Sequence, residues 1–129
     1  MKYRKEGQNW HIILMRILFN NKDVQKLCTN KKYAVKELGQ QVALKLFSTI
    51  NIIQASINLN DILKLPQYKL HKLKGDRKGV YSIYLGAKTG YRLELIPLDD
   101  NEKIINVDDM SIYIKAVCIQ IERITNHYE

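Results

Sequence analysis

Two hydrophobic periods meet in this chain, and their order narrows the fold to a few classes. Leu38, Val42, Leu46, Ile50, Ile53 and Ile57 recur at spacings of four and three, which sets them along one face of a helix. From Val80 onward the spacing falls to two, so Val80–Leu85 and Tyr91–Pro97 read as strands. Gly86-Ala-Lys-Thr-Gly90 joins them, a short connection with glycine at both ends, as a hairpin needs. Upstream, Trp10–Phe19 is rich in β-branched and aromatic residues and stops at Asn20-Asn21, the pattern of a first strand. Lys22–Cys28 reads as a short helix. Thr29 or Asn30 then caps a long one, Lys31 to Ile57, because either side-chain oxygen accepts the orphan N–H groups of a first turn. Asn60 opens a further turn of helix that must end before Pro66. Tyr113–Ile124 supplies a last strand, with Val117, Ile119 and Ile121 facing one way. The order β–α–α–β–β–β predicts an α+β domain: an antiparallel sheet of about four strands with the N-terminal helices on one face.

The chain has 129 residues, no internal repeat and no Pro- or Ser-rich linker, so a single domain over 1–129 is expected. The longest apolar run, Trp10–Met15, is far too short to span a bilayer. The first residues lack the apolar centre and small-residue cleavage site of a signal peptide, so a cytoplasmic protein is expected. Cys28 and Cys118 stand apart and read as small buried apolar residues of a reducing compartment. There is no CxxC and no pair of histidines at ligand spacing, hence no zinc pattern.

Charge is distributed very unevenly. Lys64, Lys69, Lys72, Lys74, Arg77, Lys78, Lys88 and Arg92 face one acid, Asp76, so seven of the net eight positive charges lie between residues 64 and 92. Such a concentration repels itself and implies an external anion, with nucleic-acid phosphate the favoured partner and a solvated surface the alternative. Tyrosines interleave with it: Tyr68, Tyr81, Tyr84 and Tyr91. By strand parity Tyr81 goes inside with Ile83 and Leu85, while Tyr84 goes to the open face, where a base can stack on its ring. Arg92, early in its strand, either forks onto a phosphate or pairs with Glu94 two residues on. His127 beside Tyr128 offers acid–base groups near neutral pH at the end of a strand, or is simply a frayed terminus. His71 in the basic run is a weaker candidate for phosphate contact. Walker, GxGxxG, GxSxG and HExxH patterns are all absent. Asp99-Asp100 and Asp108-Asp109 lack calcium-loop spacing and read as a solvated loop.

Leu70-His-Lys-Leu-Lys-Gly-Asp-Arg-Lys-Gly-Val-Tyr-Ser-Ile83, then Gly90-Tyr-Arg-Leu93, then Ile124-Thr-Asn-His-Tyr128 resemble the HigB branch of the RelE/ParE toxin superfamily. Met15–Cys28 resembles the usual start of such a protein, which makes residues 1–14 an N-terminal extension. The resemblance implies a RelE-like fold and a type II toxin that cuts messenger RNA on the ribosome without metal or other cofactor. It implies as partners a helix-turn-helix, HigA-like antitoxin, mRNA and the ribosome, with operator DNA met only through the antitoxin complex, and no membrane. It implies Lys72, Lys74, Arg77, Lys78 and Arg92 as cations for the phosphate, and Tyr84, His127 and Tyr128 as proton handlers. Two positions depart from the family pattern. Tyr84 stands where HigB-like proteins commonly carry a basic residue, and the end reads Asn126-His127-Tyr128 rather than Asp-Tyr-His. A catalytically inactive RelE-fold module, acting with its antitoxin on DNA or blocking a target other than RNA, is the alternative, as is a plain basic RNA-binding protein.

Overall fold

The computed structural model describes residues 3–7, 9–86 and 88–127. Its order is β1 (Tyr3–Glu6), β2 (Asn9–Ile12), β3 (Arg16–Phe19), α1 (Lys22–Thr29), α2 (Lys31–Leu38), α3 (Gln40–Gln54), α4 (Leu59–Leu63), β4 (His71–Lys72), β5 (Tyr81–Tyr84), β6 (Arg92–Leu98), α5 (Ile112–Lys115) and β7 (Cys118–Thr125). The α+β class is as expected. The sheet is not the antiparallel four-stranded one: it has five strands, in the order β3-β7-β6-β5-β4, and it is mixed. β3 lies parallel to β7, Arg16 opposite Cys118 through Phe19 opposite Ile121, and the other pairings are antiparallel. Helices α1 to α4 intervene between β3 and the rest of the sheet, a connection long enough to return the chain in the parallel sense.

The expected strand Trp10–Phe19 is divided. Asn9–Ile12 pairs with Tyr3–Glu6 in a separate antiparallel hairpin, and only Arg16–Phe19 enters the main sheet. Between them Met15 is buried and its N–H donates to the Ser56 carbonyl at 2.8 Å, so the chain turns inward there. The expected helix Lys31–Ile57 is also divided, at Gly39. That residue closes α2 through its N–H to Val35 and opens α3 with φ 85° and ψ 160°, a region open essentially only to glycine. Asn21 and Asn30 cap α1 and α2 as their chemistry dictates, accepting from Val24 at 2.9 Å and Tyr33 at 3.0 Å. Asn58, not Asn60, begins α4, and the Asp61 carboxylate takes the Ile57 N–H at 2.8 Å. The last strand starts at Cys118 rather than Tyr113, because Ile112–Lys115 forms a helical turn.

The helical stripe survives the break. Val42, Leu46, Ile50 and Ile53 join Tyr81, Ile83, Leu93, Leu95, Ile119 and Ile121 in one buried cluster, the inward face of the sheet against α3. Burying such side chains contributes about 1.5–3 kcal/mol each before entropy is charged against it. Cys28 and Cys118 are both buried, and burial pushes the Cys28 thiol up to about 12, so it stays protonated and inert. Among the described residues no helix is long and apolar enough to cross a membrane.

Candidate nucleic-acid interface

The period of two that buries Tyr81, Ile83, Leu93 and Leu95 sends their neighbours to the opposite face. Across that face the pairing places His71 opposite Ser82, Ser82 opposite Glu94 and Glu94 opposite Arg123. One step along, Tyr84 stands opposite Arg92, and Arg92 opposite Thr125. One row of polar side chains therefore crosses four strands and a second crosses three.

Arg123 belongs to these rows only because of a bulge. Counting by twos from Ile119 and Ile121 would send Arg123 into the core. The β6–β7 register shifts between Glu94 and Leu95: Leu95 pairs with Ile121 and Glu94 with Arg123, so Glu122 has no opposite number. The extra residue turns Arg123 outward and Ile124 inward, where it packs against the core.

Glu94 is fully buried, with 0% exposure, and three arginines hold it. Arg92 Nε donates to its Oε2 at 2.7 Å, Arg123 Nε to its Oε1 at 2.7 Å, and Arg77 Nη2 to the same Oε1. Burial acting alone would raise this carboxyl. The hydrogen bonds from Arg123, Arg92 and Arg77 outweigh it and hold Glu94 below the ordinary carboxylate value. Among the described residues, one carboxylate on this floor meets three guanidinium groups.

Arg77 arrives from the basic turn. Leu73 N–H donates to the Val80 carbonyl at 2.8 Å and closes residues 73–80 into a loop. Gly75, at φ +64°, starts the turn of 3-10 helix Gly75–Arg77 inside it. Above the floor lies a cavity of about 630 Å³ lined by Lys69, His71, Lys74, Arg77, Tyr84 and Arg92, with Ser82 and Asp76 also on its walls. That volume falls within the usual range of small-molecule sites. The Lys69 ammonium lies 4.6 Å over the Tyr84 ring. His71 Nδ1 lies 2.7 Å from the Lys69 carbonyl. A carbonyl only accepts, so Nδ1 carries the proton, and Nε2 of the neutral ring holds the lone pair. Lys69 itself is left-handed, at φ 48°.

The candidates from the sequence divide. Lys74, Arg77, Tyr84 and Arg92 meet at this cavity. Lys72, next to His71 on a two-residue strand, takes the opposite side. With Lys78 it lines a separate cavity of about 220 Å³ beside Tyr81 and Val107, and Lys74 belongs to both walls. His127 reaches Arg92 only through its backbone carbonyl, which accepts from Nη2. As a residue it lines a third cavity, of about 250 Å³, with Asp23, Tyr33, Glu37 and Tyr91. Tyr128 lies outside the described residues.

His71, Lys69, Ser82, Glu94 and Arg123 were not among the principal candidates. Parity alone puts Ser82 and Glu94 on the face of Tyr84 and Arg92, a signal that was present. For Arg123 parity points the wrong way. No protein-family model matches the chain, and no curated protein matches it.

Proposed function

We propose that this chain is a toxin of the HigB/RelE kind, with a RelE-like fold: a metal-independent endoribonuclease that cuts messenger RNA at the ribosome and is neutralised by a helix-turn-helix antitoxin. One observation carries the reading. The segments that resemble the family, 70–83 and 90–93, supply nearly every wall of a single cationic cavity. Cleavage of this class needs a base, cations at the phosphate and an acid, and the cavity holds groups of each kind. His71 Nε2 takes the proton of a ribose 2′-hydroxyl, whose oxygen attacks the adjacent phosphorus. Lys74, Arg77 and Arg92 stabilise the charge gathering on the phosphoryl oxygens. The P–O5′ bond breaks, the leaving oxygen takes a proton from Tyr84, and the products are a 2′,3′-cyclic phosphate and a 5′-hydroxyl.

The test is induced expression without an antitoxin, followed by mapping of transcript 5′ ends. Growth arrest with new 5′-hydroxyl ends, abolished by His71→Ala with Arg92→Ala, is the expected result. Intact transcripts in growing cells would overturn the reading.

A second reading has its own support. Arg77 and Arg92 already hold an internal anion, Glu94, and His127 lines a different cavity. A module that binds without cleaving, acting with its antitoxin in DNA-bound autorepression or on another target, would show RNA or partner binding with no new transcript ends.

A further inference from the structure

Asp76 is the one acid of the basic stretch, and it lines the same cavity as the arginines. Among the described residues its carboxylate makes no ion pair and accepts no hydrogen bond, although Lys74 and Arg77 are close in sequence. Glu94, the other carboxylate of this region, is buried beneath the cavity and fully engaged. Asp76 is exposed, so water satisfies it in the empty protein and a ligand can replace that water.

We propose that the cavity is a one-nucleotide pocket that selects an amino-bearing base, guanine foremost, through stacking on Tyr84 and hydrogen bonds donated to Asp76. The inference rests on the nucleolytic reading above and adds its substrate preference. The chemistry follows from the edge that each base presents. Guanine offers N1–H and an exocyclic amine side by side, two donors for two carboxylate oxygens. Adenine and cytosine offer one amine each, and a carboxylate accepts from such a group. Uracil sets its single N–H between two carbonyl oxygens, which repel a carboxylate. Tyr84 supplies a ring that any base can stack on, so stacking gives affinity and Asp76 gives the choice. The ammonium of Lys69, now over that ring, belongs to an exposed and flexible side chain. It moves to the phosphate as the base takes its place. The negative charge of Asp76 also keeps phosphate away from its own wall, so the nucleotide enters with its base toward Asp76 and its phosphate toward Arg77 and Arg92.

The experiment uses the purified full chain and four uncleavable 2′-deoxy trinucleotides that differ only in the central base. Binding is followed by calorimetry at fixed salt. The wild-type protein is expected to bind the guanine oligomer about tenfold more tightly than the uracil one, with adenine and cytosine between. Asp76→Asn, a change at an exposed position, is expected to leave the circular dichroism unchanged and to bring the four within about twofold. Arg92→Ala is expected to weaken all four alike. Equal binding of the four by the wild type, still weakened by Arg92→Ala, would overturn the base preference and leave the nucleolytic reading standing. A guanine preference untouched by Asp76→Asn would overturn the role of Asp76. No binding of any oligomer would overturn the one-nucleotide pocket, while the mapping of transcript ends alone decides the nucleolytic reading.

Discussion

Arg123 donates to Glu94 at 2.7 Å across the two central strands, and it does so because Glu122 is skipped in their register. Two strongly charged side chains are thus opposed on one face of a sheet whose other face sends Leu93, Leu95, Ile119 and Ile121 into the core. Glu94, with 0% exposure, is not tolerable there alone, since an unpaired buried charge costs several kcal/mol.

Glu94→Gln keeps the shape and removes the charge. Three guanidinium groups then lose the carboxylate that they share. The expected loss is about 3 kcal/mol of unfolding free energy, the lower end for a broken buried pair because the arginines are partly exposed. Urea denaturation at pH 7 measures it, and a midpoint within error of wild type would show the cluster to be energetically idle.

Acid sensitivity follows from the same carboxylate. Because the folded protein holds Glu94 below its ordinary value, the unfolded chain takes up the proton first as pH falls. The stabilisation is complete above the ordinary glutamate value near 4.3 and is lost as pH drops through it toward the lower folded value. Asp109 is lowered in the same sense by Lys115 and Ser111, so Glu94→Gln should flatten the stability curve between about pH 3 and 5 without levelling it. Denaturation midpoints across that range provide the check, and parallel curves for the two proteins would contradict the assignment.

The histidines should behave differently. His71→Ala is expected to slow RNA cleavage by about 10²–10⁴-fold with unchanged circular dichroism, the range for loss of a general base. His127→Ala should cost little, since the contact of His127 with Arg92 is through the backbone carbonyl. Single-turnover cleavage of a ribosome-bound transcript separates the two, and the reverse ranking would move the acid–base centre to the end of β7.

Gly39→Ala isolates a backbone effect. A Cβ there meets no atom within 4 Å, yet φ is +85°. The cost is therefore conformational, about 1–3 kcal/mol. A variant as stable as wild type would mean that α2 and α3 rejoin without penalty.

The amphipathic stripe from Val42 to Ile53 and the parity of Tyr81, Ile83 and Leu93 were readable in the sequence because each depends on near neighbours alone. The break at Gly39 was readable in principle, since a glycine amid a helical pattern marks an interruption as readily as a packing site. The parallel pairing of β3 with β7 was not, because no local signal reports which of two distant strands will meet. The two-residue strand His71–Lys72 is too short to carry a period. Of the site, Arg77, Lys74, Tyr84 and Arg92 were found from charge and parity. The histidine beside them carries the weaker signal in sequence, because the terminal His-Tyr pair sets two acid–base groups side by side, whereas only the fold brings the Lys69 carbonyl to His71. Arg123 escaped because a single bulge inverts parity.

β7 lies between β3 and β6, and β3 has no other partner in the sheet. Arg16 and Cys118 face each other across about a hundred residues of intervening chain. During synthesis β3 and the helices after it emerge early and wait. Until β7 joins, β3 has no neighbour in the sheet and Glu94 lacks Arg123. Such long-range closure slows folding, and it ties completion of the arginine clamp to the pairing of β7 with β6.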